Sequence, residues 1–404
     1  MRMYFDFRDV FKAPRIAFSF QRIWTNTLGI ILAGIIYLLI AYLALMINGA
    51  SFQEIFARSG FFPFPMGKSM SLLAWIVWGI GAILSGLVIL VTNTAVARLV
   101  YMQLRNEFFY SWRQAFRFAF KKFLSIIGAY FTFIFMIAFF VVGALVMGII
   151  GRIPAIGEWL NALLTIPYVL AGVLLAFIVL VTVVSILIIP AILATMDEDA
   201  LGGVFQSFSI VYNQPWRLAI YSVLAGILEL LAFAFYAGML KVGYRVFALL
   251  FEVGMGEKFY RIAENSLAWL QHILQPLEGA LFTIWGTWTP YLYFSHPHAT
   301  MALSGTEAIA AVIVTFFLGL LGVSVVGFAE ATGNAGMTLT FLALYKKQED
   351  ENLLEREDDE LKEEEEEESE QQSRNDEEPA EAEKPEDETE TSAATDENEE
   401  KEES

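Results

Sequence analysis

Two acidic residues, Glu229 and Glu330, stand inside long apolar stretches of the sequence. A charged side chain in lipid costs several kcal/mol, so acids within membrane spans usually face protein or water and often mark proton or ion pathways. Glu229 follows Trp216 by about 20 Å of helix, and Glu330 precedes Tyr345 by about 22 Å. If the two helices pack together, the acids lie at similar depth and can share a proton or bind a cation. The alternative is that each acid is protonated and hydrogen-bonded to a neighbouring helix, where it only fixes packing.

Small residues follow Glu330, among them Gly333, Asn334 and Gly336. Such a cluster predicts an interruption of the helix that exposes backbone carbonyls to a cavity, as in transporter helices. Close helix packing through small residues is the alternative. We therefore take Glu229, Glu330 and Asn334 as the intramembrane polar candidates, and Gly333 with Gly336 as the candidate break.

No catalytic motif is found in the chain. The phosphate-loop, HExxH and GxSxG patterns are absent, and the lack of cysteine excludes thiolate metal sites and a cysteine nucleophile. His296 and His298 flank a proline, but neither a third histidine nor a carboxylate is near them in sequence, so a solvated loop is the simpler interpretation. We predict no catalytic residue, no metal and no cofactor.

The elements that carry these residues are predicted to be membrane spans. The chain has 404 residues, of which 56% are hydrophobic and 18% charged, with a mean hydropathy of +0.53. Lipid leaves an open backbone unsatisfied, so a crossing needs about 20 apolar residues in a helix. Six windows qualify, at 27–47, 72–99, 124–150, 166–194, 216–239 and 308–345. The predicted fold is an all-α polytopic membrane protein with an outer excursion at 240–306.

Charge divides the chain into two regions. Residues 348–404 hold 30 acidic and 5 basic residues, whereas 1–347 hold 15 acidic and 21 basic ones. The tail cannot bury a core and is expected to be disordered and cytoplasmic. With the N-terminus inside, the cytoplasmic segments hold 14 Lys and Arg and the opposite segments 7. The positive-inside rule therefore predicts that both termini are cytoplasmic. The predicted location is the inner or plasma membrane.

Three polar-aromatic segments precede the first, third and fifth spans and are predicted to be interfacial amphipathic helices. Their positions suggest a threefold repeat at 8–104, 107–196 and 200–347, although basic segments beside any multispan bundle would explain the same pattern. The predicted basic stripe at the membrane surface consists of Arg8, Lys12, Arg15, Arg22, Arg113, Arg117 and Lys121.

The segment Ser111-Trp112-Arg113-Gln114-Ala115-Phe116-Arg117-Phe118 and the run Ile189-Pro190-Ala191-Ile192-Leu193 resemble the membrane region attached to some glycerophosphodiester phosphodiesterases. The resemblance covers residues 1–347 and implies a six-span architecture. The catalytic barrel of that family is a separate domain, so the resemblance implies no activity for this chain.

Two functions are carried forward. The first is a non-enzymatic membrane scaffold or accessory protein that organises lipid or a protein partner, with the acidic tail as a docking strip for a basic cytoplasmic protein. The alternative is a transporter or proton-coupled carrier that uses Glu229 and Glu330. The net charge of −19 makes nucleic acid an unsuitable partner.

Overall fold

The computed structural model describes residues 3–59, 63, 70–285 and 300–356. The described residues up to Glu355 form one compact unit. The acidic tail beyond Arg356 lies outside the described residues, as do His296 and His298.

The described elements are helices, and the described ranges contain no strand. In chain order they are α1 (Phe7–Val10), α2 (Ala13–Ala17), α3 (Phe20–Ile47), α4 (Phe52–Ser59), α5 (Leu72–Leu104), α6 (Trp112–Lys121), α7 (Phe123–Ile150), α8 (Ile156–Leu163), α9 (Thr165–Met196), α10 (Ala200–Asn213), α11 (Pro215–Met255), α12 (Glu257–Trp285) and α13 (Gly305–Glu349), followed by a 3-10 turn (Leu353–Glu355).

Six of these helices, α3, α5, α7, α9, α11 and α13, are long and apolar enough to cross a membrane. This confirms the prediction of an all-α polytopic protein with six spans. The helices extend beyond the predicted windows, most of all α11 with 41 residues and α13 with 45. A bilayer core needs only about 20 residues of helix, so these two helices tilt or project beyond it.

The spans form three antiparallel hairpins. A Cβ added at Gly29 of α3 would meet Thr92 of α5, and one added at Gly81 would meet Ile40, so these two helices run in opposite directions. Lys122, just before α7, binds Asp197, just after α9, so α7 and α9 also run in opposite directions. We call the base of the bundle the end at which α3, α7 and α11 begin and α5, α9 and α13 end.

Packing is concentrated toward the base. There α13 is the central helix and contacts the spans α3, α5, α9 and α11 as well as the short helices α1, α2 and α10. Toward the opposite end the hairpins expose apolar side chains, such as Val142, Leu145 and Val173, each more than half accessible. Lipid covers such surfaces at no hydrophobic cost, so the protein core sits where the three hairpins meet.

Cationic side chains cap helix C-termini at the base. Arg98 is fully buried and its Nη1 donates to the carbonyl of Ala194, 3.0 Å away, near the end of α9. Lys122 Nζ donates to the carbonyl of Asp197, 2.7 Å away, just beyond that end. The last carbonyls of a helix lack partners within it and carry partial negative charge, which favours cations there.

The three predicted interfacial segments are all helical, but they differ from the prediction in detail. The first is two short helices, because Pro14 starts α2 afresh, and the third exposes the apolar side chains of Phe205 and Tyr212. The helix α2 packs on α13 and α6 packs on α5, whereas α10 packs on both α7 and α9. The threefold repeat stays a prediction.

The outer excursion begins with the end of α11 and the helix α12. Met255 ends α11, and α12 then packs along the first turns of α13, where Arg261 Nη2 binds Glu307 Oε1 at 2.9 Å. The hydrogen bond with Glu307 raises the pKa of Arg261 above its ordinary value. Ser266, fully buried, donates to the carbonyl of Ala311 at 3.0 Å.

Candidate functional site

The helix interruption predicted at Gly333 and Gly336 is wrong. Both residues lie inside the continuous helix α13, and neither has a positive φ. A Cβ added at Gly336 would lie 2.7 Å from the Cβ of Ala225 on α11, closer than real side chains approach. The small residues therefore serve close packing of α11 on α13, and tertiary contacts outweigh the low helix propensity of glycine.

The structure brings Glu229 and Glu330 together. A Cβ added at Gly333 would lie 2.9 Å from the carboxyl carbon of Glu229, so this side chain rests directly on α13, one turn from Glu330. Neither acid has a hydrogen-bond or ion-pair partner among the described residues. The structure thus places the two acids on neighbouring helices about one helical turn apart, and their role as a proton-sharing or cation-binding pair stays a prediction.

Asn334, the third intramembrane candidate, contacts a residue that sequence reasoning missed. Its Nδ2 donates to Oδ1 of Asn93 on α5 at 2.9 Å. Asn93 lies between Thr92 and Thr94, about one turn before Arg98 on α5. These three polar residues interrupt an apolar run, and that interruption could have identified Asn93 from the sequence. The bond links two spans and leaves Oδ1 of Asn334 as an acceptor.

The polar candidates keep accessible surface within otherwise buried stretches. Every residue of α5 from 91 to 102 is buried except Asn93, and every residue of α13 from 327 to 345 is buried except Glu330 and Asn334. Glu229 is half-buried too, beside the buried Leu228. These four polar side chains are therefore less tightly enclosed than the apolar residues around them.

Two buried polar atoms on the spans α9 and α3 lack partners among the described residues. The hydroxyl of Ser185 on α9 is fully buried, and Asn26 on α3 is 1% exposed; neither Ser185 Oγ nor Asn26 Nδ2 has a hydrogen-bond partner among the described residues. By contrast Thr182, on the same helix as Ser185, donates to the carbonyl of Ile178 four residues before it at 2.7 Å. An unpartnered buried polar group is costly, so its presence calls for a bound species or a function.

The second candidate surface is the basic side of α6. Ser111 and Gln114 form a capping box that starts this helix, and Arg113, Arg117 and Lys121 are all exposed along it. On the opposite side Phe118, 2% exposed, packs with Ala97 of α5 and Ala194 of α9. The guanidinium carbon of Arg98 lies 4.2 Å from the centre of the Phe118 ring, so the helix is anchored at the junction of two spans.

The other four basic candidates do not form one stripe. Arg8 and Arg15 are exposed on the short helices, whereas Lys12 Nζ pairs with the fully buried Asp9 at 2.5 Å. Arg22, 6% exposed, binds the carbonyl of Ile16 and the side chain of Gln103 inside the bundle. The expected single helix would have kept these residues on one side, but a second break at Phe18 and Ser19 puts Arg22 on α3, where it turns inward.

Among the described residues, no group of three or more acidic or histidine side chains is placed to hold a metal ion. No protein-family model matches the chain, and comparison with curated proteins and with solved structures found no significant match. The resemblance to the membrane region of glycerophosphodiester phosphodiesterases therefore stays a prediction.

Proposed function

We propose that this multi-pass membrane protein is a non-enzymatic scaffold that gathers anionic lipid at the base of its bundle. The observation that carries the proposal is the exposed row of Arg113, Arg117 and Lys121 on α6. These cations lie one turn apart on a helix whose opposite side is fixed by Phe118. Cations held beside lipid-facing spans attract anionic headgroups by about 1 kcal/mol each.

The neighbours of the basic row support contact with a membrane surface. Phe120 is 62% exposed and Leu124, at the start of α7, is 79% exposed. Apolar side chains next to cations are typical of helices that lie at the boundary between headgroups and acyl chains.

The proposal includes an orientation and a location. We propose that the base faces the cytoplasm, so that both termini are cytoplasmic and the membrane is the inner or plasma membrane. The excess of Lys and Arg in the segments at the base supports this orientation. The acidic tail is then placed to dock a basic cytoplasmic protein.

The orientation is tested by labelling. Because the chain has no cysteine, a Ser404→Cys variant carries a single thiol. We expect a membrane-impermeant maleimide to label it only after the membrane is opened. Labelling of intact cells would contradict the orientation.

The lipid proposal is tested in nanodiscs that contain zwitterionic and anionic phospholipid. We expect spin-labelled anionic lipid to be enriched next to the protein, and the enrichment to fall when Arg113, Arg117 and Lys121 are all changed to Gln. The matched control changes Arg152, Arg245 and Lys258 to Gln, because these three cations are also exposed but lie away from the base. Equal loss in both variants would indicate a response to net charge and would contradict a site on α6.

The juxtaposed carboxyl groups favour a second candidate, a cation or proton carrier. Its support is the seat of Glu229 on α13, one turn from Glu330, beside the hydrogen-bonded pair of Asn93 and Asn334. The continuous course of α13 counts against it, because the expected broken helix is absent from that span. Liposomes that contain the protein and a trapped ion or pH indicator would decide: a carrier gives a flux that Glu330→Gln removes, whereas a scaffold gives none.

A further inference from the structure

The short helix α8 carries an apolar surface at the end of the bundle opposite the base. Ile156, Trp159 and Leu163 are each at least 72% exposed. Successive residues of an α-helix are about 100° apart, so these three side chains lie within about 60° of one another around the helix. Glu158 is exposed as well and lies about 100° or more from each of them. The helix therefore has an exposed apolar side and a charged side.

A third side of α8 is held against the end of α7 and the start of α9. A Cβ added at the buried Gly157 would collide with the carbonyl oxygen of Ile150, so only glycine allows this approach. Asn161 Nδ2 donates to the carbonyl of Met147 at 3.4 Å, and Asn161 Oδ1 accepts a hydrogen bond from Tyr168 at 2.7 Å. Gly157 and Asn161 lie about 40° apart around α8, so one side of the helix makes all these contacts.

These contacts bring α8 alongside the last turn of α7, at the level of lipid-facing span residues. Every residue of α7 from 141 to 149 is exposed except Met147, and Ile166, Val169 and Leu170 are exposed in the first turns of α9. Lipid covers apolar span surfaces at no hydrophobic cost. The lipid that surrounds the end of α7 and the start of α9 therefore also reaches α8.

The half of the α7–α9 hairpin that lies away from the base has few contacts within the protein to hold it. Among the described residues, α7 has none that is buried after Phe133, and α9 has none that is buried before Ile178. Near the base, by contrast, the ring of Phe133 packs on Phe208 of α10 with their centres 5.7 Å apart. Protein packing therefore fixes the hairpin near the base, and its far end needs another support.

We propose that α8 binds the lipid leaflet opposite the base and anchors the far end of the α7–α9 hairpin there. Ile156 and Leu163 insert among acyl chains, and Glu158 faces water. Trp159 lies between Leu163 and Glu158 around the helix, which puts its ring at the headgroup boundary, where tryptophan is enriched. Amphipathic helices of this pattern lie in the plane of the membrane interface. This lipid contact is independent of the basic row on α6, which lies at the base.

Spin labelling of the full-length protein in nanodiscs tests the proposal. The chain has no cysteine, so Ile156→Cys, Trp159→Cys and Leu163→Cys each carry a single nitroxide label. Oxygen concentrates in lipid and a nickel chelate stays in water, so the ratio of their collision rates with the label reports its surroundings. We expect this ratio at positions 156 and 163 to be several-fold higher than for Glu158→Cys, the matched control on the same helix. The ratio for Trp159→Cys should lie between the two.

Val173→Cys on α9 provides the reference for a lipid-facing residue, because Val173 is exposed on the same hairpin. Labels at Ile156 and Leu163 are independent, so the test holds if one of the two variants does not fold. A collision ratio there as low as for Glu158→Cys would place the apolar side of α8 in water and overturn the proposal. Labels shielded from both reagents would mean that protein covers this side, and that result would overturn it too.

Discussion

At the scale of single residues, the interior of this protein depends on polar contacts between spans. In lipid the hydrophobic effect does not drive helices together, so packing and interhelical hydrogen bonds do. The bond between Asn93 and Asn334 and the seat of Glu229 on Gly333 are contacts of this kind. Each contact can be tested by substitution.

The pair of asparagines should show energetic coupling. In choline buffer, a double-mutant cycle of Asn93→Ala and Asn334→Ala should give a coupling of about 0.6 kcal/mol and no more than about 2 kcal/mol, the range for hydrogen bonds between membrane helices. Reversible unfolding in mixed micelles measures it. The exposed Asn213 provides the control, since Asn213→Ala should add independently to Asn334→Ala.

Gly336→Ala should destabilise the protein by about 1–3 kcal/mol, because the new Cβ would lie 2.7 Å from the Cβ of Ala225, which has no rotatable side chain to move aside. Combination with Ala225→Gly should relieve most of the loss. Gly322→Ala is the control on the same helix: a Cβ there meets nothing within 4 Å, so stability should stay constant or rise by up to about 1 kcal/mol. A destabilising effect of Gly336→Ala that persists without the Ala225 methyl group would mean that the contact is not the cause.

At the scale of elements, the short helices act as anchored pieces of the bundle. The clearest case is α6, which inserts Phe118 between Ala97 and Ala194 while its cations stay exposed. The amphipathic pattern of a helix decides which residues turn inward, but the partner helix decides how firmly it is held. The lipid surface proposed for α6 requires that anchor.

Phe118→Ala should therefore cost about 3–5 kcal/mol, the usual range for removing a buried phenyl ring. It should also free α6, and increased protease cleavage of that segment would report this. Phe120→Ala, which removes a ring that is 62% exposed, should cost far less. Similar losses in the two variants would show that α6 is not held through Phe118.

At the scale of the whole molecule, the segment that follows α13 packs against the end of α5 at the base. The carbonyl of Leu353, a residue 2% exposed, accepts a hydrogen bond from Tyr101 at 2.8 Å. This contact joins the last described turn to the end of α5. The compact unit thus includes the residues just after α13.

Two nested truncations test that boundary. A chain that stops after Arg356 keeps Leu353 and should unfold at the same temperature as the full-length protein. A chain that stops after Asp350 loses the buried leucine and the Tyr101 bond, so it should lose about 2–4 kcal/mol. Thermal unfolding in detergent measures both, and an equal midpoint for the two truncations would place the boundary before Leu353.

The sequence by itself determined the features that follow from hydropathy and periodicity. Long apolar runs must be helical in lipid, so the six spans were predictable, and the spacing of Arg113, Arg117 and Lys121 predicted the exposed side of α6. The depth of Glu229 and Glu330 also followed from counting residues along their helices.

The tertiary structure determined the features that depend on which helices lie next to each other. Gly333 and Gly336 belong to an unbroken helix because α11 packs on them, and Arg22 turns inward because α2 and α5 offer it acceptors. Hydropathy reports how a residue interacts with its solvent, whereas which spans lie side by side is set by packing between helices, and no local pattern encodes that choice.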